Sequence, residues 1–370
     1  MQESATLIQA LFSLILWLSL LVLVVRARKK PFVLSRITRY VVFLLTLTFC
    51  LYAFWGGDYF HSMESFHTIR LGGYSHMENV YQWLAGSVAF SYTSFRFIIW
   101  GTALALLFYS YKGTSQSFDL SLCYFASCYL LWFSYARASL AMACIICGMA
   151  IIINARNKII IYYVIGFAII GSSFFFHRSA IIGIVSAVVS LFFVNSPRQF
   201  LRAIIILLPL IGIALQYSLG YLMSMDLDYD TVITARQRDS YLLSSGANIW
   251  GYGWGERISI ILTRGPLYIS AILYIILVLK GRVKNFSRGE RFLSAYSFFT
   301  IMLGLSLLLD LGYNTYVLHY RTLFYAMPSN AVFLAAAWKD GYKRKLTNIV
   351  FLTTALGVGY TLLYSTYCSI

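Results

Sequence analysis

Ionisable side chains are scarce in this sequence: Asp, Glu, Lys and Arg together make up 11% of its 370 residues. An ordinary soluble domain carries roughly a quarter charged residues, so that class is excluded at the outset. Acids are scarcest, 13 against 29 basic residues. Asp226, Asp228 and Asp230 alternate, but they lack the following glycine and distal glutamate of a calcium loop and read as a solvated acidic stretch. Six cysteines lie mainly inside apolar runs. Cys144 and Cys147 have a CxxC spacing without a second pair or a nearby histidine, which makes them packing thiols and excludes a disulfide framework. The chain contains no HExxH, Walker A or GxSxG motif and no metal-spaced His/Cys cluster, so no resident metal or other cofactor is expected. It also lacks a fixed-period repeat and an inverted repeat marked by paired Gly/Pro-broken helices, which argues against a secondary transporter.

What the sequence has is apolar length. Hydrophobic residues make up 60% and the mean hydropathy is +0.73. Each spanning helix needs about 20 mostly apolar residues, and about twelve candidates fit: 6–25, 40–55, 93–110, 117–135, 138–154, 159–176, 179–195, 201–218, 257–279, 292–310, 324–338 and 346–366. The expectation is an all-α polytopic membrane protein with one transmembrane domain over 1–370. The first run has no basic segment before it and no small-residue cleavage site after it, so it reads as a retained helix. Outer loops are expected at about 56–92, 219–256 and 311–323.

Orientation follows from the basic loops. Arg26 to Arg39, Arg156 and Lys158, Arg198 and Arg202, Lys280 to Arg291, and Lys339 to Lys345 alternate along the chain on one side. That side is expected to be cytoplasmic, with both termini outside. The net charge of +16 is then mostly this topology signal, with contact to anionic lipid, and not a nucleic-acid surface. All five histidines and nine arginines fall on the other side, but no lysine does. Positive-inside bias thins both basic types alike, so outer arginine without lysine points to guanidinium geometry, which forks onto phosphate and carboxylate oxygens.

Five outer constellations carry that chemistry. Arg137 sits at an abrupt turn in WFSYARASLA, where a charge near hydrocarbon depth needs a cavity or a partner. His177 and Arg178 form a similar turn in FFFHRSAII, and a neutral histidine there is a base candidate. Arg236, Arg238 and Asp239 lie in the largest late loop, followed by Gly-Tyr-Gly-Trp-Gly, where Tyr252 and Trp254 could stack on sugar rings. Asp58 and Glu78 are outer acids near span ends. Asp310, His319 and Arg321 form the last group. Arg70, Arg96, Arg257 and Arg264 carry no such motif and read as interface residues.

The order of these elements resembles the EpsG branch of the Wzy-type polysaccharide polymerases. The matching pieces are Asp58-Tyr59, Glu78 to Tyr81, Tyr135 to Ala141 and Phe176 to Ile182. The resemblance covers about 55–195 well and the rest only in topology. It implies an all-helical fold similar to C-type membrane glycosyltransferases. It also implies an inner-membrane enzyme facing the periplasm, which transfers a growing glycan from undecaprenyl pyrophosphate to a sugar hydroxyl of another lipid-linked repeat unit. Expected partners are that lipid-linked oligosaccharide, membrane lipid and a chain-length regulator protein. Arg137, Arg178, Arg236, Arg238 and Arg321 are the expected pyrophosphate ligands, Tyr252 and Trp254 the sugar platform, and His177, Asp58, Glu78 and Asp239 the catalytic candidates. A glycan ligase would share this topology. A lipid-linked oligosaccharide flippase would place charge along a through-going path, and the mid-span regions here are nearly free of it. A membrane acyltransferase would need its histidine accessible from the cytoplasm.

Overall fold

The structure, a computed structural model, describes residues 2–27, 34–52, 56–73, 75, 77–135, 138–155, 160–224, 254–307 and 316–368. Among them there is no strand. The helices are α1 (Gln2–Ala27), α2 (Arg36–Tyr52), α3 (Gly56–Arg70), α4 (Asn79–Trp83), α5 (Tyr92–Thr114), α6 (Phe118–Tyr124), α7 (Leu130–Tyr135), α8 (Ala138–Asn154), α9 (Ile160–Phe176), α10 (Ala180–Phe193), α11 (Pro197–Ser224), α12 (Trp254–Leu279), α13 (Arg288–Ser306), α14 (Tyr316–Asp340) and α15 (Arg344–Cys368). A π turn, Phe125–Tyr129, joins α6 to α7. Over the described residues, the apolar runs expected to span fall on helix almost throughout. Among the described residues, four helices rather than twelve are long and apolar enough to cross a membrane by length and composition: Tyr92–Thr114, Pro197–Ala214, Arg257–Leu279 and Arg344–Tyr364. Shorter apolar helices occur at Leu11–Val22, Ala138–Asn154, Ile160–Phe176 and Ala180–Phe192.

The expected outer loops are partly helical. The stretch 56–92 holds α3, α4 and a second π turn at Leu84–Val88. Hydropathy missed α3 because GGDYFHSMESFHTIR mixes polar and apolar residues without a dominant face. The 311–323 stretch is already helical from Tyr316. Helix ends follow local chemistry. Ser91 with Ser94, and Ser287 with Glu290, make reciprocal capping boxes at α5 and α13. Gly281 and Gly341, with φ of 70° and 81°, close α12 and α14 in the left-handed conformation that glycine tolerates.

Packing is that of a protein in hydrocarbon. Large aliphatic side chains face outward on α9 (Ile160, Val164), α11 (Ile205, Ile206, Leu210) and α15 (Ile349, Leu352, Leu356), while serines and threonines are buried. Lipid gives helices no hydrophobic reason to associate, so close backbone contact and internal hydrogen bonds must hold them. Between α8 and α9 a Cβ on Gly148 would lie 2.5 Å from the Gly166 carbonyl oxygen, and one on Gly166 would lie 2.8 Å from the Gly148 carbonyl oxygen. A Cβ on Gly357 of α15 would lie 2.7 Å from the Leu262 backbone of α12.

One end of the bundle gathers the basic loops. Arg39 forks onto Asp119 at 2.7 and 2.9 Å, and Asp119 also accepts from the Leu34 amide. Asp340 at the end of α14 accepts from Arg282 and Asn285 at 3.1 and 2.8 Å. Glu290 caps its own helix and accepts from the Ser117 amide and the Ser115 hydroxyl. Asp119 and Glu290 are buried, so their charges are matched by several donors each.

The middle of the bundle is tied at Asn330. Its Oδ1 accepts from the Tyr129 hydroxyl at 2.7 Å, and its Nδ2 donates to Ser270 and Ser297 at 2.8 and 2.9 Å. The four side chains are buried and belong to α14, the π turn, α12 and α13. The Tyr111 hydroxyl of α5 adds a bond to the Pro328 carbonyl. Asn330→Leu removes three hydrogen bonds and leaves the Tyr129 hydroxyl without its acceptor, at a cost on the order of 1–3 kcal/mol for that buried group alone, while Ser270 keeps its bond to the Leu267 carbonyl. Its thermal midpoint in detergent should fall by several degrees, and further than that of Tyr129→Phe, which removes one bond. An unchanged midpoint for Asn330→Leu would remove the network from the account of stability.

Candidate functional site

The end of α14 away from Asp340 carries the second concentration of polar groups. Tyr325 lies 15 residues from Asp340, about 22 Å by helix rise. Arg321 and Tyr325 are four residues apart and share one face of α14. That face meets the turn between α9 and α10. There His177 ends one helix, Arg178 follows, and Ser179 precedes the next. The Ser179 hydroxyl is 2.7 Å from His177 Nδ1 and 3.1 Å from the Tyr325 hydroxyl. The Ser179 amide also donates to His177 Nδ1 at 3.2 Å. Gly183, one helical turn into α10, makes room for this contact. A Cβ there would come within 2.5 Å of Ile145, 2.8 Å of the Tyr325 ring and 3.1 Å of the Tyr296 hydroxyl.

Glu78 comes to the same place from the segment before α4. It occupies the N-terminal cap position of that helix, with its carbonyl accepting from the Tyr81 amide at 2.8 Å. The following anchor is apolar: Tyr81 is fully buried and edge-on to Phe95. Gln82 pins the preceding loop through the carbonyls of Ser75 and Met77. Arg321 and Glu78 lie within electrostatic reach of the Tyr325 hydroxyl. His177, Ser179 and Tyr325 thus form a hydrogen-bonded group with these two charges nearby and Arg178 exposed at the same turn.

A second polar group lies on the other side of α14. His319 is buried, with Nδ1 2.7 Å from the Gly304 carbonyl and Nε2 2.8 Å from the Tyr268 hydroxyl. Arg264 of α12 is buried within electrostatic reach of it. Arg96 is buried too. It donates to the Cys50 carbonyl and the Tyr92 hydroxyl and lies 4.5 Å from the centre of the Trp100 ring. Arg96 and Arg264 are thus interior residues and not the interface residues that the sequence suggests. A charge at that depth has to find carbonyls, hydroxyls and aromatic faces.

Of the residues singled out in the sequence, His177, Arg178, Glu78 and Arg321 lie in or beside the first cluster. Arg137, Arg236, Arg238, Asp239, Tyr252 and Asp310 lie outside the described residues. Asp58 falls in the first turn of α3, and its side chain is outside those described. Trp254 is exposed at the start of α12, with the Arg257 guanidinium 5.1 Å from its ring centre. Ser179 and Tyr325 were not singled out. Ser179 sits inside the FHRSA motif, but nothing local marks the hydroxyl of Tyr325 as facing it from 146 residues away. No group of three or more His, Cys, Asp or Glu among the described residues could hold a metal ion.

The model of the EpsG family matches residues 36–369, nearly the whole chain. No curated protein and no solved structure matches. Gly183→Leu should drive a side chain into the Tyr325–Tyr296 contact and displace the His177–Ser179–Tyr325 chain. Helical content by circular dichroism should persist while the thermal midpoint in detergent falls by several degrees. An unchanged midpoint in Gly183→Leu would show that this close approach does not hold the turn.

Proposed function

The chain belongs to the EpsG family of Wzy-type polymerase-like membrane proteins, and from that premise we propose that it is a polysaccharide polymerase working on lipid-linked repeat units. Its donor is a glycan on undecaprenyl pyrophosphate, and its acceptor is a sugar hydroxyl on a second lipid-linked unit. The acceptor oxygen bonds to the anomeric carbon of the donor. The bond from that carbon to the pyrophosphate oxygen breaks, with its electron pair leaving on the pyrophosphate. The acceptor proton passes to a carboxylate, for which Glu78, Asp58 and Asp239 are the candidates, alongside His177. The leaving charge is met by Arg178 and Arg321, and by Arg137, Arg236 and Arg238. Guanidinium donors can stabilise that charge without a metal. Tyr252 and Trp254 provide faces for sugar rings.

The single observation that carries this reading is the cluster at the α9–α10 turn. His177, Ser179 and Tyr325 are in hydrogen-bond contact there, with Arg178 exposed at the same turn and Arg321 and Glu78 within electrostatic reach of Tyr325, at the end of the bundle opposite the basic loops. By the positive-inside rule the basic end is cytoplasmic, which puts the site on the periplasmic face of the inner membrane. The same reading makes the chain one transmembrane unit over 1–370 with about twelve spans and a fold similar to C-type glycosyltransferases. A chain-length regulator is a natural further partner.

Purified protein in nanodiscs, given lipid-linked repeat units, should build long glycans without added metal. Arg178→Lys, Arg321→Lys and Arg137→Lys retain charge but lose the planar fork. Each should cut polymer formation by on the order of 10²-fold if it removes a donor to the developing charge. Normal polymer in all three would sink the guanidinium argument. Transfer of finished glycan to another acceptor, with no chain growth, would make the chain a ligase.

A further inference from the structure

We infer that the start of α11 holds an anionic diacyl phospholipid from the leaflet at the basic end, with its phosphate at Arg198 and Arg202 and an acyl chain along the outward face of the helix. This site is separate from the cluster at the α9–α10 turn, and it stands whether or not the polymerase reading does. The two faces of α11 divide cleanly. Phe200, Ile204 and Leu208 are buried, the first against the rings of Phe298 and Phe299 on α13. The outward face begins with Arg198 and Arg202, both exposed, and continues through Ile205, Ile206, Leu210 and Ile213, each more than two-fifths exposed. Steps of three and four residues put these six side chains on one stripe of the helix.

The polar end of the stripe carries positive charge without a matching acid. Among the described residues, Arg198, Arg202 and Lys280 take part in no ion pair, whereas Arg39 and Arg282 at the same end are matched by Asp119 and Asp340. Arg198 is also held in place. Its Nη2 donates to the carbonyl of Leu279, the last residue of α12, at 3.3 Å. That bond brings the end of α12, with its exposed Lys280, against Arg198. Guanidinium groups at a lipid boundary fork onto phosphate oxygens. A headgroup with net negative charge gains more there than a zwitterionic one, whose own cation cancels the attraction.

The apolar part of the stripe has the length of one leaflet. From Arg202 to Ile213 the helix climbs about 16 Å, close to half of a hydrocarbon core of about 30 Å. A lipid with its phosphate at the arginines therefore lays one chain along Ile205, Ile206, Leu210 and Ile213. A second apolar helix on the same stripe would cover the isoleucines and leave the arginine pair without an anion, so the unmatched charge favours a lipid.

The test titrates full-length protein in detergent with dioleoyl phosphatidylglycerol and, separately, with dioleoyl phosphatidylcholine, and counts bound lipid by native mass spectrometry. Wild type should prefer phosphatidylglycerol by about tenfold, and Arg198→Gln combined with Arg202→Gln should lose that preference. Lys343→Gln combined with Lys345→Gln removes as much charge from exposed positions around the start of α15 and should keep it. No preference in wild type, or equal losses in the two double variants, overturns the inference, the second outcome showing diffuse attraction without a site. Inorganic phosphate should not displace the phosphatidylglycerol; displacement would make this a site for free phosphate and overturn the lipid assignment. A benzoylphenylalanine in place of Ile206, irradiated in cell membranes, should cross-link to phospholipid. Cross-linking to a second copy of the chain or to another protein would show that a protein covers the stripe and would overturn the placement of the acyl chain.

Discussion

Asn330 uses all of its side-chain hydrogen-bonding groups on three other segments of the bundle: Tyr129, Ser270 and Ser297. In hydrocarbon an unmatched amide is costly, so these bonds cannot be exchanged for water. They fix α14 against α12, α13 and the π turn. The register of α14 matters because both ends of the helix carry polar work. Asp340 locks the basic end through Arg282 and Asn285. Arg321 and Tyr325 face the His177–Ser179 turn at the other. Tyr325 is five residues from Asn330, about 7.5 Å along the helix, so a slip at the amide would misplace the hydroxyl.

The bundle separates its few charges by task. Asp119, Glu290 and Asp340 are spent on the basic end, where each accepts several hydrogen bonds from arginine, amide, hydroxyl or asparagine donors. They tie loops together and leave no carboxylate there for chemistry. At the other end Arg178 and Arg321 lie near the α9–α10 turn with Glu78, and the two guanidinium groups suit an anionic ligand. Arg96 and Arg264 add buried positive charge away from the first cluster, Arg96 beside the Tyr92 hydroxyl and the Trp100 ring, and Arg264 within electrostatic reach of His319.

Much of the helical scaffold was legible in the sequence because apolar runs of spanning length can hardly be anything else. What hydropathy could not see were helices held by mixed surfaces, such as α3 and the first turns of α14, and the three acids that close the basic end. The FHRSA turn was legible as a site because a charge at an abrupt turn between apolar helices needs a reason. Its partner was not. Tyr325 looks like any tyrosine in an aromatic-rich span, and only the packing of α14 on α10 brings its hydroxyl to Ser179. Arg137, Arg236, Arg238, Asp239 and Tyr252 lie outside the described residues, and their part in the account is carried by chemistry and family membership.

The central claim is that a polyprenyl pyrophosphate sits at the end of the bundle where α9, α10 and α14 meet. The most direct measurement is a cryo-electron microscopy structure of the protein in nanodiscs with undecaprenyl pyrophosphate. The account predicts phosphate density within hydrogen-bonding distance of Arg178 and Arg321, beside the His177–Ser179 turn. Phosphate density at the basic end, against Arg39, Arg282 or Arg344, would contradict it.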